Sequence, residues 1–293
     1  MIGIRIIRSG GKGLNNMLKI ALTGADGLVG SRIIELLGDD FEFIPLPQKS
    51  MDITNIDQVN SVLKNLDYDI FFHLAAYTNV SGAETNKDLC FKINVTGTRN
   101  VFETVTRKHK KFIYVSTDFV FDGTSPPYDE DSTPNPQGIY AQSKYESEKI
   151  VKDEAMIVRI AYPFRADFEL KKDFFRTFKS LLENKKSFSM ITDSLMTPTF
   201  IDDIAFGLKY LFNNYSPEIF HLVGSDSLSP YNICQLIAEK FNLDNSPIGK
   251  TTYKEYVKDK ARLPQLAEIK SKKNNFYPMK TFEQGLEEIK KQL

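Results

Sequence analysis

Two cysteines and three histidines are all that 293 residues provide, and 38 basic side chains are balanced by 38 acidic ones. Cys90 and Cys234 form no CxxC, and so few histidines leave no zinc-ligand cluster, so no metal is expected. Both cysteines fall in helical-looking segments and read as buried free thiols. A net charge of zero argues against a nucleic-acid partner held by bulk charge. No run approaches the ~18 apolar residues of a membrane span, so no membrane partner is expected. The opening Met1-Ile-Gly-Ile-Arg-Ile-Ile-Arg8 has too short an apolar core for a secretory signal. These absences point to a cytoplasmic protein.

What is present is ordinary for a globular chain: 41% apolar and 26% charged residues. The length suits one large domain, or a domain with a smaller lobe. Residues 1–16 follow no pattern and are expected to be a flexible extension. Gly10-Gly-Lys-Gly13 lacks the Gly-Lys-Ser/Thr ending of a phosphate loop.

Regularity begins at Met17. Residues 18–23 read as a buried strand, followed by Gly24-Ala-Asp-Gly27-Leu-Val-Gly30 and the amphipathic run 31–37. In such a strand–turn–helix, Gly24 permits the tight turn and Gly27 lets backbone N–H groups approach a pyrophosphate. Gly30 lets helix and strand pack closely. The spacing is G-x-x-G-x-x-G, and its position near the chain start points to a dinucleotide. A second strand, 41–46, ends in Pro45-Leu-Pro-Gln-Lys49 with no carboxylate for ribose hydroxyls. Lys49 could pair with a 2′-phosphate, which favours NADP over NAD.

A carboxylate, Asp52, precedes a helix at 55–65. The strand 69–76 ends in Ala75 and Ala76, small enough for a cofactor to pass, while His73 within it reads as a core histidine. A long helix is expected over 84–109. The strand 111–116 delivers Ser116-Thr-Asp118 to its C-terminal end, where ligands bind in open α/β sheets. Tyr140 and Lys144 follow a Pro-rich loop, and a spacing of four stacks them on one helical face. An ammonium beside a phenol lowers the phenol pKa, giving a proton donor and acceptor usable near neutrality. With the strand 155–160, the alternation argues for an α/β, doubly wound parallel sheet, Rossmann-like, over 17–160.

The pattern then changes. Helices are expected at 173–184, 202–211, 230–241 and 282–293, with a short strand at 187–191 and irregular chain at 251–275. The strand-like 219–224 is expected to rejoin the sheet. Residues 161–293 thus read mainly as a smaller C-terminal substrate-binding lobe.

The chain resembles the extended short-chain dehydrogenase/reductases, and within them the dTDP-4-dehydrorhamnose reductase branch of sugar-nucleotide enzymes. The resemblance covers 17–293. It rests on Thr23-Gly-Ala-Asp-Gly-Leu-Val-Gly30, Asp52-Ile-Thr54, Ala75-Ala-Tyr-Thr-Asn-Val80, Asn94, Ser116-Thr-Asp-Phe-Val-Phe-Asp-Gly123, Tyr140-x-x-x-Lys144, Arg159 and Thr197-Pro-Thr199. It implies a cofactor site of Gly24, Asp26, Gly27, Leu28, Val29, Gly30, Asp52, Ile53, Leu74, Ala75, Ala76 and Asn94, with Tyr140 and Lys144. It implies that Tyr140 protonates a substrate oxygen hydrogen-bonded by Thr117, and that Lys144 holds the nicotinamide ribose. Asp118, Phe119, Arg159 and Tyr162 would border the substrate.

The branch usually carries Tyr where Phe119 stands, Trp where Tyr162 stands, and Gly at Met196-Thr197. Arg262-Leu-Pro264 is a loosened form of its Arg-Pro segment. The resemblance implies an NAD(P)H-dependent reductase of a keto-sugar nucleotide, with a homodimer compatible. Two other readings stay open. One is an epimerase or dehydratase of the same fold, although Asp118 lacks the following Glu that dehydratases use. The other is a non-catalytic NADP-binding regulatory subunit, like the methionine adenosyltransferase beta subunit.

Overall fold

Residues Lys19–Thr23 (β1), nearly all buried, run straight into a glycine turn and then α1, Leu28–Leu37. The computed structural model describes residues 17–258 and 262–293. The expectation for 1–16 lies outside the described residues. β2 (Glu42–Leu46), α2 (Ile56–Lys64) and β3 (Ile70–His73) continue the alternation. A helical stretch follows: α3 (Val80–Thr85), α4 (Lys87–Phe91), a π-helical turn (Lys92–Gly97) and α5 (Thr98–Thr106). β4 (Lys111–Thr117), a 3₁₀ turn (Asp118–Val120), α6 (Ile139–Val151) and β5 (Met156–Ile160) come next.

After residue 160 come β6 (Pro163–Phe164), α7 (Phe174–Glu183), β7 (Phe188–Ile191), β8 (Thr199–Phe200) and α8 (Ile201–Asn213). β9 (Ile219–His221), α9 (Pro230–Lys240), β10 (Ile248–Thr251), α10 (Tyr253–Tyr256) and α11 (Phe282–Gln292) complete the order. The main sheet is six-stranded and parallel, ordered β2-β1-β3-β4-β5-β9. β9 therefore rejoins the sheet, beside β5, as expected of the strand-like 219–224.

Side chains alternate across the sheet and build two cores. Ile20, Leu22, Ile70, Phe72, Ile113, Met156 and Val158 face α1 and α8. Ala21, Phe71, Phe112, Tyr114 and Ile157 face α2, α5 and the end of α6. Burying each large apolar side chain stabilises by about 1.5–3 kcal/mol. A third core joins α7, α9 and α11 with β7 and β10, around Phe164, Phe175, Ile237 and Phe282.

The expected single helix at 84–109 is broken. Asn86 leaves helical geometry at φ −125°, ψ 49°, ending α3 and capping the start of α4, and the π turn then widens the helix around Asn94. An i→i+5 turn uses the same residue types as an α-turn, so no periodicity marks it. Its consequence is local: Ser147 Oγ of α6 donates to the Asn94 carbonyl at 2.8 Å.

Candidate active site

Parallel topology brings the C-terminal ends of β1, β3, β4 and β5 to one edge, and a cavity of about 790 Å³ opens there. At one end lies the glycine turn. Gly24 has φ +68°, a left-handed conformation that glycine adopts without a Cβ clash. A Cβ on Gly30 would sit 2.3 Å from the Gly24 carbonyl oxygen, so turn and helix approach too closely for any side chain. Gly27 N–caps α1 with no side-chain bond, and the first turn of α1 carries no acidic residue. The unsatisfied N–H groups and the helix dipole there suit an anion, so the residues fit the diphosphate of a dinucleotide.

Along one wall, Ala75 N donates to Thr23 Oγ1 at 3.2 Å, fixing the small Ala75–Ala76 step beside the turn. Behind it His73 sits fully buried between Thr23 Oγ1 (2.8 Å) and Thr98 Oγ1 (3.1 Å). Burial, and then the nearby Lys144 ammonium, push its imidazole down to about 3. It is the satisfied core histidine the sequence indicated. Opposite, Asp52 Oδ1 accepts from Thr54 N and Oγ1, both at 2.9 Å, which holds the loop that presents Ile53.

The other end is chemical. Thr117 closes β4, and its Oγ donates to Asp118 Oδ1 at 3.0 Å. Asp118 is 3% exposed, and its Oδ2 has no partner. Burial raises this carboxyl to about 7, against the bonds from Thr117 and the local backbone. Tyr140 and Lys144 reach the cavity from the first two turns of α6. Lys144 is buried, its Nζ donates to the Val115 carbonyl at 2.7 Å, and it lies 4.1 Å from the Tyr114 ring centroid. Burial lowers the Lys144 ammonium to about 7, while Glu148 and Cys90 oppose the fall.

The expected acid–base tuning of Tyr140 runs the other way. Burial first, and then the Asp118 charge, push its phenol well above the ordinary range, with only the Thr117 hydroxyl bond opposing. The physical reason is direction: the Lys144 ammonium is turned to the Val115 carbonyl and the Tyr114 face. Burial thus favours the protonated Tyr140 hydroxyl, which is joined through Thr117 to Asp118.

An aromatic box surrounds this group. Phe119 meets Tyr140 edge-on at 5.9 Å and Tyr162 at 5.8 Å, and Tyr162 meets Phe174 at 6.3 Å. Tyr162 has φ +38°, a sparsely populated conformation for a side-chain-bearing residue, in the step between β5 and β6.

Most residues expected at the site do line this cavity: Gly24, Asp26, Gly27, Leu28, Val29, Gly30, Asp52, Ile53, Leu74, Ala75, Ala76, Thr117, Asp118, Phe119, Tyr140, Lys144 and Tyr162. Lys49, Asn94 and Arg159 do not. The turn Pro47–Ser50, closed by Ser50 N to Pro47 O at 2.8 Å, carries Gln48 to the wall and leaves Lys49 exposed. Asn94 lies one layer behind, its Oδ1 accepting from Tyr77 N at 2.7 Å and its Nδ2 donating to Ser143 Oγ at 2.8 Å. Arg159 has the parity of Ile157, so its side chain passes under the sheet to Glu148 of α6 and not to the substrate end.

Sequence reasoning missed the segment 168–174, which forms the cavity's outer lip. Lys171 Nζ reaches across the mouth to Thr78 Oγ1 at 3.1 Å. Adjacent lysines before the helix cap Asp173 were the available signal, but nothing local tied them to Thr78. Among the described residues, no cluster of three or more His, Cys, Asp or Glu could hold a metal, and no helix is long and apolar enough to cross a membrane.

Residues 18–293 match the family described as the RmlD substrate binding domain. A solved dTDP-4-dehydrorhamnose reductase from Bacillus anthracis, in complex with NADP, is similar at 30% identity and a TM-score of 0.87. That likeness covers 95% of this chain and 100% of the other. The dTDP-4-dehydrorhamnose reductase of Aggregatibacter actinomycetemcomitans is 29% identical over 249 residues, 79% of this chain and 83% of its own. Methionine adenosyltransferase 2 subunit beta of Bos taurus is 26% identical over 251 residues, 80% of this chain and 75% of its own.

Proposed function

The chain belongs to the RmlD substrate binding domain family, and on that premise we propose that it is an NADP(H)-dependent reductase of a keto-sugar nucleotide, of the dTDP-4-dehydrorhamnose reductase type. One observation carries the reading. The Gly24–Gly30 turn and the Thr117, Tyr140 and Lys144 side chains face the same cavity from its two ends.

The bound cofactor would supply the hydride. The N-terminus of α1 would hold its diphosphate, Asp52 and Ile53 would flank its adenine, and Ala75–Ala76 would leave room for its ribose. Gln48 in place of an acid at the rim favours NADP, as does the NADP of the Bacillus anthracis relative. Lys144 would donate to ribose hydroxyls. Tyr140, kept protonated by its burial, would give its proton to the substrate's carbonyl oxygen. Thr117 would share the negative charge that develops on that oxygen. Asp118, Phe119 and Tyr162 would border the sugar, with the lobe of 161–293 closing over it. A cytoplasmic location and a homodimer are part of this proposal.

The test is NADPH oxidation against a panel of 4-keto-6-deoxy sugar nucleotides. Tyr140→Phe should lose about 10²–10⁴-fold in turnover while keeping its affinity for NADPH. Undiminished turnover in that variant would overturn the assignment of Tyr140. No wild-type turnover on any member of the panel, with a stoichiometric partner co-purifying, would favour a regulatory subunit instead.

A further inference from the structure

Arg159 was expected at the substrate and instead makes a buried ion pair with Glu148. Its Nε and Nη2 donate to Glu148 Oε1 and Oε2 at 2.9 and 2.7 Å, and both side chains are at most 4% exposed. Such a bidentate pair fixes both position and orientation. Glu148 lies on α6 four residues after Lys144, which lies four after Tyr140. The three side chains therefore stack along one helical face, neighbours at about 5–6 Å between Cβ atoms. Arg159 is held in turn: it packs 5.1 Å over the Phe121 ring, and its Nη1 meets His221 Nε2 at 3.3 Å. His221 Nδ1 is bonded to the Lys270 carbonyl at 2.7 Å, and its backbone N–H donates to Glu130 at 3.0 Å.

We propose that the Glu148 carboxylate, locked by Arg159 one helical turn from Lys144, is a positioning residue that keeps Lys144 available to the cofactor as an ammonium. Lys144 is buried and its remaining surroundings are poor in negative charge. His73 of β3 is neutral beside it, Tyr114 of β4 offers a ring face, and Tyr140 of α6 is a protonated phenol. Cys90 of α4 is a buried thiol, raised by burial. Glu148 is the carboxylate that most supports the ammonium charge against desolvation. Arg159 holds Glu148 in one orientation through its two bonds.

Because the role of Lys144 rests on the reductase reading, the decisive readout is NADPH affinity against pH, which needs no sugar substrate. The full chain would be titrated with NADPH by fluorescence from pH 5 to 9. Wild type should lose affinity as pH rises through the Lys144 titration. Three variants would be compared: Glu148→Gln, the double variant Glu148→Leu with Arg159→Met, and Arg159→Lys. The first two should move that limb to lower pH by about one unit, a tenfold shift in the proton equilibrium. Arg159→Lys, which keeps both charges, should leave it near the wild-type position. An unmoved limb in folded Glu148→Gln or in the double variant overturns the proposal. Failure of both to give a folded circular-dichroism spectrum also overturns it, since the pair would then be purely structural. Absence of turnover on any keto-sugar nucleotide, with the NADPH limb shifting as expected, would sink the reductase reading and leave the role of Glu148 standing.

Discussion

Thr117 Oγ donates to Asp118 Oδ1 at 3.0 Å in a buried corner where the second carboxylate oxygen has no partner. That lone oxygen makes Asp118 costly to ionise. Burial pushes its carboxyl up to about 7 from the ordinary 3.8. Between those values the folded state binds more protons than the unfolded one, so Asp118 lowers stability as pH rises from about 4 to 7. Asp118→Asn removes the titration. Its melting temperature should therefore gain on wild type between pH 5 and pH 8, measured by scanning calorimetry across that range. A Tm difference that stays constant with pH would refute the assignment.

Gly30→Ala tests the close approach at the turn. The added Cβ would meet the Gly24 carbonyl oxygen at 2.3 Å, and backbone on both sides leaves no flexible group to move. The turn must open, spoiling the alignment of the α1 N–H groups. NADPH affinity should fall at least tenfold, about 1.4 kcal/mol, by isothermal titration. Retained affinity would show that the α1 N-terminus does not hold the diphosphate.

Asn94 acts from behind the site. Its amide ties Tyr77 N beside the Ala75–Ala76 step to Ser143 on α6, the residue before Lys144. Asn94→Leu would leave buried polar partners unsatisfied, at about 1–3 kcal/mol for each group. A lowered denaturation midpoint together with a lower kcat is expected, because the cofactor wall and the Tyr140 helix lose their shared anchor. Asn94→Asp keeps the acceptor for Tyr77 and should recover part of the stability. Urea unfolding and steady-state rates together check this.

Local rules carried much of the reading and failed at identifiable places. The glycine turn and the strand–helix alternation depend on near neighbours, so the residues at Gly24–Gly30 and Thr117–Asp118 could be read directly. Side-chain direction depends on parity and register. Arg159 lies opposite Ser116 on one neighbour and His221 on the other, and shares the core face of Ile157. Alternation alone could have placed it away from the substrate. The Tyr140 phenol differs for another reason: helical spacing puts Lys144 near it, but the Val115 carbonyl and Tyr114 ring, distant in sequence, decide where the ammonium points. The contact from Lys171 to Thr78 spans 93 residues, and no local pattern encodes it.

Tyr162→Ala tests the proposed division of the cavity between cofactor and sugar. The Tyr162 ring stands between Phe119 and Phe174, at the end of the cavity away from the Gly24 turn, and the backbone there is held at φ +38°. Tyr162→Ala deletes the ring and its edge contacts, each worth about 0.5–1.5 kcal/mol beyond burial. The backbone stays in a conformation that costs alanine as much as tyrosine, so the fold gains nothing in return. The expected result is a tenfold or greater fall in kcat/KM for the keto-sugar nucleotide, about 1.4 kcal/mol or more, with NADPH affinity unchanged. Tyr162→Phe keeps the ring and should stay within a few-fold of wild type unless the hydroxyl itself contacts the sugar. Parallel loss of NADPH affinity in Tyr162→Ala would mean that the aromatic box supports the cofactor, and that the two ends of the cavity are not divided between cofactor and sugar.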